Sequence, residues 1–501
     1  MPATLAAPRV SLRSLGATFV RVVTLPRNGA ILVGALFATA AATVAATPLT
    51  DPDVWWVAAA GRQMFATGQV PRQNMFSFVE PSHPWIMHEW ALGPAYAWAL
   101  DHVGPCVFVA IALLVLAADL TLVIAATLGR SRRVASGLFM AFLAVGGFGM
   151  RFLSARPTHV ALLFPMAMTL IAFAPRFGPA SLAAAVAIEL VWANVHGSFP
   201  LGVVLLVVAA VDRPRDRGVC LAAAGASALA TLVNPYGLAL HRFVWNYFRG
   251  GDGIYREIHE NIVEFGNLWR AWGGTIGPGD VAALAVGVAI AVGAVLQRKH
   301  RLRAAFSLAL LALSVHQVRH LELAGLISCF LLVPYVDDLA ERARLPEPAE
   351  PGWRRRALWL ILAPAFVSGP ALFAYEYARR APAQWVASGS DLLPALDRVP
   401  DGASLYVPFQ WAGLSIAYGF PRGVRVFFDP RNDCYSAEAF RMFNAFDTYD
   451  GPEPTRGRLD ASGTNAAIVE SKNPLVPFFD HDPGWALAAA TGAFRAYARR
   501  P

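Results

Sequence analysis

Long apolar stretches recur along almost the whole chain, and nothing else in the sequence limits its fold so severely. They lie at 30–49, 104–127, 134–150, 158–175, 181–196, 199–212, 218–236, 279–296, 304–318, 321–336 and 357–376. A helix needs about 20 apolar residues to cross a hydrocarbon core, and most of these stretches approach that length. A soluble domain has nowhere to bury so many. Charged residues make up only 15% of the chain, well below the ~25% of soluble domains, and the mean hydropathy is +0.45. The sequence therefore predicts a polytopic α-helical membrane protein with roughly eleven transmembrane helices.

Basic residues orient the bundle. The segment "MPATLAAPRVSLRSLGATFVRVVTLPR" holds four arginines and no acid, so residues 1–29 are expected in the cytoplasm. Its apolar run comes too late and is too long for a cleavable signal peptide. Counting spans outward from there puts "GRSRR", "DRPRDRG", "QRKHRLR" and "ERARLPEPAEPGWRRR" on the same side, as the positive-inside rule requires. The excess of 42 Lys+Arg over 34 Asp+Glu is thus an orientation signal, and nucleic acid is excluded as a partner. Cys106, Cys220, Cys329 and Cys434 lie far apart without metal-ligand spacing, which argues against a disulfide framework or a zinc motif.

The opposite side of the bundle collects a different set of residues: Asp51, Asp53, His88, Glu89, Arg151, Arg156, His159, His196, Asn234, the whole of 240–278, Arg319, His320 and Glu322. Ionisable groups at membrane depth are costly and mark function. The long first outer loop, 50–92, opens with "TDPDVWW". Val54 to Thr67 is predicted to form an interfacial helix with Trp55 and Trp56 as belt aromatics, Asp53 as N-cap and Gly68 as its stop. A cap needs one carboxylate, and this turn supplies two. With His88 and Glu89 of "MHEW", Asp51 and Asp53 are candidate catalytic groups for base chemistry, or ligands of a hard divalent cation such as Mg or Mn.

The pattern "DPDVWW...GR......G.VP..N.FSF......W..HEW" resembles the first extracytoplasmic loop of the GT-C class of membrane glycosyltransferases, which includes protein O-mannosyltransferases and lipid A aminoarabinose transferases. The resemblance covers 30–380 in topology. It implies transfer of a sugar from a polyprenyl-phosphate donor to a hydroxyl of a glycan, lipid or protein acceptor, with Asp51 or Asp53 as base or metal ligand. Members of the class often carry a second acid near the "ARP" position. Thr158 and His159 stand there instead.

Transfer from a phosphate-linked sugar also needs cations for the departing phosphate. Arg151 and Arg156 in "GMRFLSARPTH", and Arg319 with His320 in "SVHQVRHLEL", are the candidates, because a guanidinium matches phosphate geometry. Snorkelling at span ends explains Arg151 and Arg156 equally well. His159, His196 of "ANVHGSF", Asn234 of "NPYG" and Glu322 are candidate cavity-lining residues.

Residues 381–501 read as a soluble α/β domain on the extracytoplasmic side. "DLLPALDRVP" predicts a helix, "ASLYVPF", "VRVFFDPRNDCY" and "AAIVES" strands, and "WALAAATGAFRAYARR" a closing pair. Asp429, Arg431 and Asp433 are expected to form an ordinary turn network. Three function classes stay open: a glycosyltransferase of a bacterial inner membrane, a transporter or flippase of a lipid-linked substrate, and a non-catalytic component of cell-envelope polysaccharide assembly. The transporter reading asks for ionisable residues near mid-membrane, and the sequence reading finds none.

Overall fold

The computed structural model describes residues 26–148, 154–345, 347, 352–447 and 449–500. Arg151 lies outside them. Every predicted span is matched by helix. The bundle opens with α1 (Pro26–Ala46), passes through α2 (Asp53–Thr67) and α3 (Leu92–Val103), and returns as α4 (Cys106–Ala126). Next come α5 (Val134–Phe142), α6 (Pro157–Ala161), α7 (Leu163–Ala172), α8 (Pro179–Val195), α9 (Pro200–Asp212) and α10 (Arg217–Ala230). The helix α5 runs on into a π-helical turn at Leu143–Phe148. Two shorter helices, α11 (Leu238–Arg249) and α12 (Ile254–Asn261), precede α13 (Pro278–Leu296), α14 (Arg301–His316), α15 (Leu321–Arg342) and α16 (Trp353–Arg379).

Among the described residues, five helices are long and apolar enough to cross a membrane by length and composition: Pro26–Ala46, Cys106–Ala126, Pro278–Leu296, Val318–Arg342 and Trp353–Arg379. Five more apolar helices are shorter, Pro200–Asp212 among them. Within this bundle the sequence reading overlooked two acids. Asp119 of α4 and Glu189 of α8 are 3% and 0% exposed, and both carboxyl oxygens of each are buried without a protein hydrogen-bond partner. Ionisable groups inside the bundle are therefore present. Asp119 also lines a cavity of about 10 Å³ with Ala40, Leu116, Val145 and Leu326, close to the volume that one water molecule needs.

The C-terminal part is a small sheet with helices. It runs α17 (Gly389–Leu396), β1 (Ser404–Tyr406), α18 (Phe409–Gly419), β2 (Arg425–Val426), α19 (Ala437–Asp447), α20 (Pro452–Ser462), β3 (Ala466–Glu470), α21 (Val476–His481), β4 (Trp485–Ala490) and β5 (Phe494–Arg499). Strand order is β2-β1-β3-β5-β4. β1 pairs parallel to both β2 and β3, whereas β5 runs antiparallel to β3 and β4. The apolar "AAIV" of β3 is buried throughout, as a central strand covered on both faces demands.

The first loop is stitched into this sheet. Ser77 forms a parallel bridge to Val426; the Val426 N–H donates to the Phe76 carbonyl at 2.9 Å and the Phe78 N–H to the Val426 carbonyl at 3.2 Å. Phe76 is fully buried against Trp85 and Phe420, a burial that contributes about 1.5–3 kcal/mol. This contact overturns the expectation for Trp55 and Trp56. Neither is a belt aromatic at the surface: Trp55 packs on Phe108 and Tyr418, Trp56 on Trp85, and both are buried. The helix α2 lies between the bundle and α18 instead of on a lipid interface.

Candidate active site

The turn "TDPDVWW" is built by proline. Pro52, with φ −75° and ψ −19°, takes the N-cap position of α2, so Asp53 becomes the first helical residue and not the cap. The capping acceptor is Asp51, whose Oδ1 receives the Asp53 N–H at 2.9 Å. Gly68 ends the helix at φ 68°, as expected of a left-handed stop. Helix α18 supports the turn from outside: a Cβ at Gly413 would lie 2.1 Å from the Pro52 carbonyl oxygen, so only glycine allows this approach.

With the cap supplied by Asp51, the Asp53 carboxyl is free to face inward. Its Oδ1 accepts the Trp56 indole N–H at 3.1 Å, and its Oδ2 accepts Arg156 Nε–H at 2.9 Å. Arg156 Nε is 3.8 Å from Asp51 Oδ2, and its two terminal nitrogens each lie 3.5 Å from an oxygen of Glu264. Three carboxyls thus share one guanidinium. Burial pushes Asp53 up to about 7, with Arg156 opposing and Asp51 adding to the rise. Asp51 is raised as well, by burial first and against Arg156. For Glu264 burial alone would raise the carboxyl, but Arg156 and Arg319 outweigh it and hold the group below its ordinary value. A carboxyl pushed up to about 7 beside one held below its ordinary value suits base chemistry at pH 7. Arg156 is not a snorkelling residue; Ser154 Oγ accepts its backbone N–H at 3.2 Å and bonds His159 Nδ1 at 3.0 Å, which fixes the start of α6.

A second cluster grows from the same loop. His88 Nε2 lies 2.8 Å from Glu89 Oε1, and the His88 ring meets that of His196 at 5.6 Å and of Phe243 at 5.1 Å. His88, Glu89 and His196 each offer a ligand atom within 4.8 Å of the others. Glu89 Oε2 is buried with no protein hydrogen-bond partner. Burial alone would lower His88, but the adjacent Glu89 carboxylate outweighs it and raises the imidazole. Two imidazoles and a carboxylate are a donor set that suits zinc and its neighbours better than magnesium. Asp51 and Asp53, the pair expected to hold a cation, are engaged by Arg156.

The C-terminal sheet supplies a third element. Arg431 and Asp429 form a fully buried bidentate pair at 2.7 and 2.6 Å. The same guanidinium donates to Asn74 Oδ1 at 2.7 Å and stacks over Trp85 at 4.5 Å and Phe76 at 4.9 Å. This is more than a turn network: it clamps the first loop to the sheet. Asp433, two residues on, feels the second cluster: burial pushes its carboxyl up to about 7, His88 opposing and Glu89 adding.

Arg319 carries no ion pair within 4.0 Å among the described residues. Its guanidinium sits 4.1 Å over the Phe265 ring and 5.6 Å over Tyr247, held in place by aromatic faces while its charge acts on Glu264. His320 Nε2 bonds Gln317 Oε1 at 3.1 Å. Asn234 closes its own turn, donating to the Thr231 and Gly237 carbonyls and accepting the Tyr236 N–H. The Tyr236 hydroxyl then ties Pro71 to that turn at 2.6 Å. Glu322 stands at the start of α15. Glu264, Tyr247 and Phe243 were not singled out in the sequence beyond the segment 240–278 that contains them.

A many-helix apolar bundle with an appended sheet and a carboxylate–guanidinium cluster at their junction is the class of molecule that this fold and site define. No family model matches the sequence. No curated protein matches it either. Two crystal structures are similar in chain path. One is ArnT from Cupriavidus metallidurans bound to undecaprenyl phosphate, at 14% identity and TM-score 0.49, covering 93% of this chain and 97% of that one. The other is the oligosaccharyltransferase of Archaeoglobus fulgidus with a tethered acceptor peptide, at 10% identity and TM-score 0.46, covering 88% of this chain and 69% of that one.

Proposed function

We propose that the protein is a membrane glycosyltransferase that moves a sugar from a polyprenyl-phosphate donor to a hydroxyl acceptor on the extracytoplasmic face. The observation that carries the reading is the Asp53–Arg156–Glu264 arrangement, in which one carboxyl is pushed up to about 7 while Arg156 and Arg319 hold its neighbour Glu264 below its ordinary value. In this mechanism Asp53 accepts the proton of the acceptor hydroxyl as its oxygen attacks the anomeric carbon. The bond from that carbon to the phosphate oxygen breaks, and its electron pair leaves with the phosphate. Arg319 neutralises the charge that develops there. Asp51 and Arg156 orient the base.

A divalent cation, where the reaction uses one, would be held by His88, Glu89 and His196, and the unpartnered Oε2 of Glu89 fits that role. Bound there, it would act as a Lewis acid toward phosphate oxygens. Mg or Mn at Asp51 and Asp53 would have to displace Arg156. The buried, unpartnered Asp119 and Glu189 favour a second reading, translocation of a lipid-linked substrate.

The test is release of free polyprenyl phosphate by the protein reconstituted in nanodiscs with polyprenyl-phosphate hexose or pentose and an acceptor-bearing envelope extract. Arg319→Ala is expected to weaken donor use by about 2–5 kcal/mol, the range for removing one partner of a buried charge pair, and Arg319→Lys to restore it in part. Unchanged donor use in Arg319→Ala removes that residue from the phosphate. Substrate flux without transfer, abolished by Asp119→Asn, would favour translocation.

A further inference from the structure

The helix α11, "LALHRFVWNYFR", has twelve residues and no acid, and it shows two unlike faces. Phe243 and Tyr247 point inward, against the His88 ring and under the Arg319 guanidinium. The outward stripe is Leu238, Arg242, Trp245 and Arg249, spaced four, three and four residues apart and so aligned on one side of the helix. All four are exposed, Trp245 at 57% and Leu238 at 68%. The Arg249 guanidinium lies 5.9 Å from the Trp245 ring centroid. The chain arrives at this helix from α10 and leaves toward α13, one of the long apolar helices. On that second connection Trp269, 76% exposed, and Trp272 flank the exposed Arg270.

A soluble surface gains nothing from such a stripe. Large aromatic and aliphatic side chains alternating with arginine, at the end of membrane helices, match the boundary between acyl chains and phosphate headgroups, where rings seat at headgroup level and cations meet lipid phosphate. We propose that α11 is an interfacial helix docked on anionic phospholipid, with Trp245 and Leu238 at the acyl boundary and Arg242 and Arg249 on headgroup phosphates. Because its other face touches His88 and Arg319, the same helix separates that lipid layer from the candidate active site. The inference rests on the membrane reading and not on transfer chemistry.

Spin-label depth measurements on the full chain test it. The four native cysteines are buried, so nitroxides can be directed to Leu238→Cys and Trp245→Cys, with the exposed Asp252→Cys as the aqueous control. In nanodiscs of phosphatidylglycerol and phosphatidylcholine, labels at 238 and 245 are expected to collide with oxygen in several-fold preference to an aqueous nickel chelate, and the label at 252 to show the reverse. Arg242→Glu with Arg249→Glu is expected to move the 245 label outward when phosphatidylglycerol is present and to have little effect in phosphatidylcholine alone. Nickel access at 245 equal to that at 252 would overturn the proposal. So would poor access to both reagents, the mark of a covering protein or second copy, or a double-glutamate variant whose depth ignores lipid charge. Loss of transfer in Asp53→Asn with an unchanged depth profile would bear on the catalytic reading alone.

Discussion

The cluster around Asp53 and the cluster around Glu89 arise from one loop and reach opposite electrostatic solutions. At Asp53 every carboxyl oxygen that faces inward has a donor, and Arg156 binds three acids together. At Glu89 a buried carboxylate oxygen has none. Orphaned groups of this kind cost free energy unless something completes them. The first cluster is therefore set up for proton transfer by groups already in place, and the second is set up to receive something. Pro52 sets the turn at the start of the loop, and the Arg431 clamp holds its middle at Asn74.

The largest effect should come from breaking the saturated cluster. Arg156→Ala leaves Asp51, Asp53 and Glu264 facing one another without a cation, which is expected to cost about 3 kcal/mol of stability. That is the low end for a broken buried ion pair, since the guanidinium side chain keeps 32% of its surface. The check is thermal unfolding in detergent, and an unchanged melting temperature would mean that the three acids do not depend on Arg156. Arg156→Lys should recover stability only partly, because a lysine cannot fork between Asp53 and Glu264.

The unsaturated cluster should answer differently. Glu89→Gln removes a charge that has no counter-ion among the described residues other than His88, so stability should hold or rise slightly. If the cluster takes a transition metal, the same substitution should lower zinc retention by at least about 10-fold, the lower figure for losing a group that only supports a ligand, measured by metal analysis after dialysis against chelator. Equal metal retention, or none in either protein, would return His88, Glu89 and His196 to a structural role.

The asymmetry between these clusters was only partly readable from sequence. The α2 helix with its Gly68 stop follows from local pattern, and so does the doubled acid of "TDPDVWW". Asp51 taking over the cap was not readable from N-cap preference, which favours the acid adjacent to the helix; Pro52 shifts the register by holding a helical φ itself. The burial of Trp55 and Trp56 depends on Tyr418 and Trp85, one of them more than three hundred residues away, and no local signal announces that. Glu264, and the approach of Asp433 to His88 and Glu89, were hidden for the same reason, since only tertiary folding brings "VEFGN" and "RNDCY" to the first loop. Asp119 and Glu189, by contrast, stood in plain view within apolar runs. A reading that attends to loops passes over single acids inside spans.

The account stands on Asp53 as a base tuned by burial and Arg156, and its transfer rate against pH tests that claim most directly. Because the folded carboxyl is raised to about 7, the active carboxylate is depleted below that pH and complete above it. The rate should rise with pH and level off above about pH 7, provided it is followed where the protein stays folded. Asp53→Asn should fold and retain donor binding, lose on the order of 10²-fold in rate, and show no such titration. A well-folded Asp53→Asn variant with full activity and the wild-type pH profile would contradict the account.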